Sequence, residues 1–347
     1  MSSLAGLWLV SLALSAAALA VMSGLIAGRW VGSRRSANRE AERRRLIPLL
    51  LGVGRGGEAQ AAPDIAPALL TDLSVELIQL VRGGDKENFV ASATRLGVPL
   101  ALRARLASRS PRIRFAAAEA LAHFADDDSA AALERALDDR NADVRLSAAM
   151  ALAEMGRAPP AATLVDKLSL GTEENSMLVV GLFEQLAATR PEEIRGLIED
   201  PASPGSVKAA AIEALSASGD YSLVPLITAL ALRADPMSVE LPRYLRSLGD
   251  FAHPAGAPAV EAALSSPAWW VRAAAAEAAG RIGMAGSVER LALLLDDADW
   301  WVRFRAGEAL AALGEAGRRL LGETARGGSA LASRAAALTL AERGLKA

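Results

Sequence analysis

The chain has 347 residues, of which 52% are hydrophobic but only 4% aromatic, and its formal net charge is −2. A single compact domain rarely exceeds about 250 to 300 residues, so this length predicts two domains or a repeat architecture. The sequence has no Cys and only two His, His123 and His253, which excludes disulfides, thiolate catalysis and Cys-ligated metals. We therefore expect no metal site and no cofactor.

The first segment, Ser2–Gly28, carries no charged side chain. It exceeds the roughly 20 residues that a helix needs to cross a bilayer, and Trp8 and Trp30 stand where the two headgroup layers would lie. A cleaved secretory signal is the alternative, but no Lys or Arg precedes the apolar run. The pattern predicts a transmembrane anchor over residues 1–32.

Three glycines of this segment recur every four residues and share one helix face: Gly24, Gly28 and Gly32. Small residues at that spacing let a second transmembrane helix approach closely, so these are candidate packing residues. An arginine-rich stretch follows over residues 29–45, which by the positive-inside rule puts the C-terminal part in the cytoplasm. The sequence thus predicts a bacterial inner-membrane protein with a single span, its N-terminus outside and its body cytoplasmic.

The next two segments lack a repeat. Residues 33–67 predict a basic juxtamembrane helix and then a tether rich in Gly, Ala and Pro. Residues 68–109 predict further helices that fit the later pattern poorly, as the capping units of repeat arrays commonly do.

From residue 110 onward the chain repeats itself, as in NADVRLSAAMALAEMGR and ADWWVRFRAGEALAALG. Each unit reads as a helix of about 14 residues, a turn, and a second helix of about 10, and such pairs stack into a solenoid. The predicted fold class is all-α, an α-solenoid of about eight HEAT-like helix pairs over residues 110–347, preceded by the single transmembrane helix. The basic key positions of the units are Arg114, Arg145, Lys208, Arg272, Arg303 and Arg334, with Ser176 and Glu240 in two degenerate units.

The shared pattern D-x-x-x-V-R-x-x-A-A-x-A-L-x-x-x-G resembles the bacterial HEAT-like repeat found in phycobilin lyase subunits, over residues 110–344. The resemblance implies that the Val of each motif packs in the core and that the basic residue bridges neighbouring units. By that resemblance Ser176 and Glu240 interrupt the ladder of bridges. The residues concerned are Val144, Val271 and Val302 in the core and Arg145, Arg272 and Arg303 in the ladder.

Aspartates recur in the turns of the repeat, at Asp138, Asp139, Asp296, Asp297 and Asp299. Paired carboxylates can perform acid–base chemistry, but these recur with the repeat. We therefore expect them to accept hydrogen bonds from the free N–H groups that open the next helix.

Two Trp pairs precede the Val-Arg motif in consecutive units. We expect one residue of each pair to be buried and one partly exposed, forming a strip with nearby arginines. Trp and Arg are enriched at protein–protein hot spots, although closure of the C-terminal core is the alternative role. The candidate partner-binding residues are Trp269, Trp270, Trp300, Trp301, Arg272, Arg303 and Arg305.

Enzymatic and nucleic-acid functions find little support. No His-Glu dipeptide, G-x-x-x-x-G-K-[ST] loop or G-x-S-x-G elbow is present, and the body from residue 46 onward is more acidic than basic, against a phosphate-binding stripe. The predicted function is a membrane-anchored, noncatalytic scaffold that binds a protein partner. With its WWVR-type repeat behind one predicted span, the chain resembles accessory subunits of envelope or exopolysaccharide assembly systems. A bilin lyase-like or other cofactor-attaching enzyme is the alternative.

Overall fold

The computed structural model describes Met22, residues 67–171 except 79 and 82, and residues 177–344 except 217. These residues form helices and turns, and no β-strand occurs among them. The chain divides into two compact units, Met1–Leu133 and Glu134–Ala347.

The described helices of the first unit pack around large apolar side chains. Phe89, Leu102 and Leu121 are fully buried there. The second and third helices are separated by Gly97, whose φ of +77° is a left-handed conformation that favours glycine. The helices are α1 (Pro67–Ile78), α2 (Gly84–Arg95), α3 (Val98–Arg105) and α4 (Pro111–Leu121), while α5 (Asp127–Ala136) begins in this unit and ends in the next.

The second unit alternates a first and a second helix in each repeat. The first helices are α6 (Ala142–Glu154), α8 (Met177–Ala187), α10 (Gly205–Ser216), α12 (Leu241–Phe251), α14 (Trp269–Ile282), α16 (Trp300–Ala312) and α18 (Ala330–Glu342). The second helices are α7 (Ala161–Lys167), α9 (Pro191–Glu199), α11 (Leu223–Arg233), α13 (Ala257–Ala263), α15 (Val288–Leu293) and α17 (Gly314–Gly327). Short 3₁₀ turns at Pro254–Gly256, Ala285–Ser287 and Leu294–Asp296 adjoin α13 and α15. The predicted α-solenoid of helix pairs is confirmed.

Small residues set the distance between consecutive first helices. A Cβ built on Gly280 of α14 would lie 2.8 Å from Ala309 Cα of α16, and one built on Gly249 of α12 would lie 3.1 Å from Ala278 Cα. Backbones can approach this closely only where a side chain is missing. The Ala- and Gly-rich composition therefore serves close helix packing, which explains an apolar chain with few aromatics.

The valines of the motif lie where the resemblance implies, since Val144, Val271 and Val302 are fully buried. The arginine ladder is only partly present. Arg272 of α14 pairs with Asp297, in the turn before the next unit. Arg145 donates instead to the Asp139 carbonyl, six residues before it, at 3.0 Å.

Further bridges between units are formed by charged residues farther along the first helices. Arg243 of α12 donates to both carboxylate oxygens of Glu213 on α10, each at 2.7 Å. The degenerate unit at Glu240 thus keeps an ionic bridge to its neighbour, formed three residues after the position where the motif has its arginine. The other degenerate key position, Ser176, lies outside the described residues.

The predicted location in the inner membrane is corrected by the structure. Within the described ranges, no helix combines the length and the apolar character required to traverse a bilayer. The proposed span, apart from Met22, and its packing glycines, Gly24, Gly28 and Gly32, lie outside those ranges. The single-pass topology is therefore not retained.

Candidate functional site

The two Trp pairs open helices α14 and α16, and hydrogen bonds in the preceding turn fix where α16 begins. The Asp299 carboxylate accepts a hydrogen bond from the Trp301 N–H at 2.8 Å, as an N-cap does. The Asp297 carboxylate in turn accepts one from the Asp299 N–H at 2.9 Å. Before α14, the Ser266 hydroxyl accepts from the Ala268 N–H at 3.2 Å. The Trp side chains therefore stand on an ordered helix start.

Three of the four indoles are exposed. The exposed fraction is 40% for Trp269, 47% for Trp300 and 50% for Trp301. Trp270 is half-buried, and its indole Nε1 is buried without an acceptor among the described residues. The expectation of one buried and one exposed residue in each pair is therefore wrong for Trp300 and Trp301. That pair does not close a core.

Phe304, one turn after Trp300, joins the second pair in an aromatic cluster. Its ring stacks on that of Trp300 with centroids 5.2 Å apart and planes 12° apart. Trp301 meets Trp300 edge to face at 4.7 Å and Phe304 at 6.1 Å. Such contacts contribute about 0.5 to 1.5 kcal/mol each beyond burial, so the exposed rings hold one another in place. We refer to Trp269, Trp300, Trp301 and Phe304 as the aromatic surface.

Arg272 is held in a buried pair beneath this surface. Its Nε and Nη2 donate to the two Asp297 oxygens at 2.7 and 2.8 Å, and its Nη1 donates to the carbonyls of Ser266 and Pro267. Burial raises the pKa of Asp297, but the Arg272 hydrogen bonds, the Asp299 amide and the charges of Arg272 and Arg303 outweigh it. The pKa of Asp297 is consequently lowered from its usual 3.8.

The other two candidate arginines differ from each other. Arg305 is engaged in ion pairs with Glu277 at 3.5 Å and Glu308 at 2.9 Å, so its charge is already neutralised by the protein. Arg303 donates through Nη1 to the carbonyls of Asp297 and Ala298, but no described carboxylate pairs with it. Of the predicted arginines at this surface, Arg303 is thus the one without an ion pair to a described carboxylate, although its charge acts on Asp297 from a greater distance.

Arg303 lines a cleft of about 220 Å³ between α16 and α18, next to the aromatic surface. Arg334 of α18 lines the same cleft and has no ion-pair partner in the described part of the chain. In the sequence, Arg334 stands out only as a key position of the repeat, and no pattern distinguishes Phe304, Leu331 and Leu338. The full lining is Trp300, Arg303, Phe304, Leu331, Arg334, Ala335, Leu338 and Thr339.

Metal-binding clusters are not found in the described ranges, where no group of three or more His, Cys, Asp or Glu could hold an ion. His253 has a structural role, because its Nδ1 accepts a hydrogen bond from the Ala255 N–H at 3.2 Å. Its ring lies 5.5 Å from that of Tyr221.

Comparison with protein families identifies the repeat. The model for HEAT repeats matches residues 99–176 and 242–311. Both matched segments of the chain are therefore HEAT-like. The second HEAT segment includes α14 and α16, and therefore both Trp pairs, whereas α18 and its half of the cleft lie beyond it. The match does not single out the phycobilin-lyase kind of HEAT repeat.

Solved structures with related helical architecture are distant in sequence. Kap121p bound to RanGTP is 12% identical with a TM-score of 0.47, over 87% of this chain and 38% of Kap121p. An engineered protein is 20% identical with a TM-score of 0.37, over 86% of this chain and 88% of its own. Human deoxyhypusine hydroxylase in complex with glycerol is 16% identical with a TM-score of 0.30, over 88% and 96%.

The chain thus spans about two fifths of the length of Kap121p. At these identities and TM-scores, the similarity does not extend to function. No curated protein matches the chain.

Proposed function

We propose that this HEAT-repeat protein is a noncatalytic scaffold that holds a protein partner against its aromatic surface. The observation that carries the proposal is the exposure of Trp269, Trp300 and Trp301, each at least 40% accessible, on the ordered starts of two adjacent helices. Exposed aromatic clusters of this kind mark interaction sites, because large rigid rings gain much apolar contact for little lost entropy.

The charged groups around the aromatic surface fit a binding role. Asp297 and Arg272 neutralise each other, and Arg305 is neutralised by Glu277 and Glu308. Because these charges are paired within the protein, the indoles are the main feature that a partner would meet. On the resemblance of the WWVR-type repeat alone, enzymes of envelope or exopolysaccharide assembly are the first candidates for that partner.

The test is crosslinking in intact cells followed by recovery through an affinity tag on the full chain. A Trp269→Ala/Trp301→Ala double variant should lose a partner that the unaltered chain recovers, by more than tenfold, since truncated hot-spot residues cost about 2 kcal/mol or more each. Helical content and melting temperature should stay nearly unchanged, because both side chains are exposed.

The matched control is Tyr221→Ala/Leu293→Ala, which removes two other exposed apolar side chains, 57% and 76% accessible. Recovery of the same proteins by both double variants would contradict the proposal. So would a chain that carries a bound chromophore and no protein, which would favour the cofactor-attaching alternative.

A further inference from the structure

The cleft between α16 and α18 follows from a change of side-chain size between consecutive units. Leu331 and Ala335 of α18 stand 31 residues after Trp300 and Phe304 of α16, at the equivalent positions of the repeat. A methyl group at residue 335, in place of the phenyl ring of Phe304, leaves space between the helices. One wall of that space is aromatic, and the other is formed by Leu331 and Leu338, each more than 40% exposed.

The charge in the cleft follows from a second difference between the same two units. Arg272 pairs with the carboxylate of Asp297, which stands 25 residues later in the sequence. The residue 25 positions after Arg303 is Gly328, which has no carboxylate to offer. The Nε and Nη2 groups of Arg303 therefore donate to no acceptor within the described ranges. Arg334 adds a second guanidinium that forms no ion pair with a described residue. A cleft with apolar walls thus carries two positive charges.

The size of the cleft limits what can enter it. Pockets for drug-sized ligands and cofactors measure about 300 to 1,000 Å³, and the cleft measures about 220 Å³. A cavity of about 150 Å³ is enough to hold benzene. The space fits one aromatic or branched apolar side chain and is too small for a whole cofactor.

We propose that the cleft docks an acidic segment of a protein partner. One aromatic or branched apolar side chain of the segment enters between Phe304 and Leu338, and neighbouring carboxylates pair with Arg303 and Arg334. At Arg303 a partner carboxylate would take the role that Asp297 has at Arg272, where two hydrogen bonds join a planar carboxylate to the guanidinium. This inference rests on the proposed function, since it names the chemistry of the bound partner.

The experiment is selection of a displayed library of random peptides on the full chain, followed by sequencing of the enriched peptides. We expect enrichment of peptides with Asp or Glu beside an aromatic or branched apolar residue. No enrichment, or enrichment of basic peptides, would overturn the proposal.

Two variants locate the binding. Ala335→Phe fills the cleft with the residue that the preceding unit has at the equivalent position, and it should abolish enrichment. Arg334→Glu reverses one charge and should weaken the selected peptides about tenfold or more, with a smaller loss at high salt. Both should leave the melting temperature nearly unchanged, because Arg334 is exposed and position 335 borders open space.

Ala337→Phe is the matched control, since Ala337 is an exposed residue of the same helix that does not line the cleft. Equal enrichment on Ala335→Phe and Ala337→Phe chains would overturn the proposed cleft. If Trp269→Ala/Trp301→Ala loses the cellular partner but Ala335→Phe keeps it, the proposed function stands and the cleft is not the docking site. If neither changes recovery, the proposed function itself fails.

Discussion

Arg272 and Arg303 occupy the same position in consecutive units, but their roles differ because only Arg272 forms an ion pair, with the Asp297 carboxylate. The Arg272–Asp297 pair is largely removed from water, with side chains 18% and 8% exposed. Both carboxylate oxygens receive hydrogen bonds, so the pair fixes the turn before α16. Both residues therefore help to set the position of Trp300 at the start of α16.

Asp297→Asn should lower the free energy of unfolding at neutral pH by about 2 kcal/mol, because hydrogen bonds to charged groups contribute about 1.5 to 3 kcal/mol. Denaturant unfolding followed by circular dichroism measures the difference. Glu289→Gln, which changes an exposed carboxylate on α15, is the control and should have almost no effect.

The same variant should behave differently in acid. The folded-state pKa of Asp297 lies below its unfolded value of 3.8. Its contribution is therefore complete above the unfolded pKa and is lost as the pH falls through the folded pKa. The stability difference between the unaltered chain and Asp297→Asn should be constant from neutral pH down to about 5 and shrink below about 4. A difference that stays the same at every pH would refute the ionic role of this carboxylate.

At the scale of the helices, the sequence predicts the first helices well because their signals are local. Helical periodicity, the Val of each motif and the Asp or Asn at the helix start all act within one turn. Asn141 and Asp299, for example, cap α6 and α16 as their positions imply. Repetition of these signals was enough to predict the solenoid.

Contacts between units were harder to predict because they depend on tertiary distances. The motif arginines mostly bind carbonyls of their own turn. The bridge between α14 and α16 is formed instead by Arg305 and Glu277, although Glu277 stands five residues after Arg272 just as Glu308 does after Arg303. Phe304 fits the apolar helical pattern as an ordinary core residue. Only the small residue at position 335 of the adjacent helix leaves its ring lining a cleft.

Gly280→Ala tests the close contact between α14 and α16. In an open helix, Gly→Ala stabilises by up to about 1 kcal/mol. At Gly280 the new Cβ would lie 2.8 Å from the Ala309 backbone, so the helices must separate, and we expect a net loss of about 1 to 3 kcal/mol. The thermal midpoint from circular dichroism should fall.

Gly181→Ala is the matched control, because Gly181 lies in helix α8 with nothing near its missing Cβ. Its thermal midpoint should rise slightly. If both variants shift the midpoint in the same direction, the two first helices are not packed as closely as the structure shows.

At the scale of the whole second unit, a chain of ion pairs joins three first helices, α12, α14 and α16. It leads from Asp250 on α12 to Arg343, the residue that follows α18, and each of the three helices contributes at least one charge. Single exposed ion pairs contribute only about 0 to 1 kcal/mol, so the network supplements the apolar packing of neighbours. The successive pairs are Asp250–Arg281, Arg281–Glu277, Glu277–Arg305, Arg305–Glu308 and Glu308–Arg343.

Because stacked repeats contact mainly their neighbours, loss of α18 should act locally. A chain ending at Gly328 lacks Ala332, Ala336 and Leu340, which are buried in the native chain. Hydrogen exchange should show reduced amide protection in α16 and unchanged protection in α10. Uniform loss of protection throughout the second unit would mean that it unfolds only as a whole.

The positions of the Trp residues also allow binding at the aromatic surface to be followed by intrinsic fluorescence. Four of the six tryptophans of the chain stand at the starts of α14 and α16, and three of them touch water. Indole emission moves to shorter wavelengths when water leaves the ring. A segment bound in the cleft would exclude water from the ring of Trp300 but not from that of Trp269. The intrinsic fluorescence of the unlabelled protein would therefore report whether the cleft is occupied.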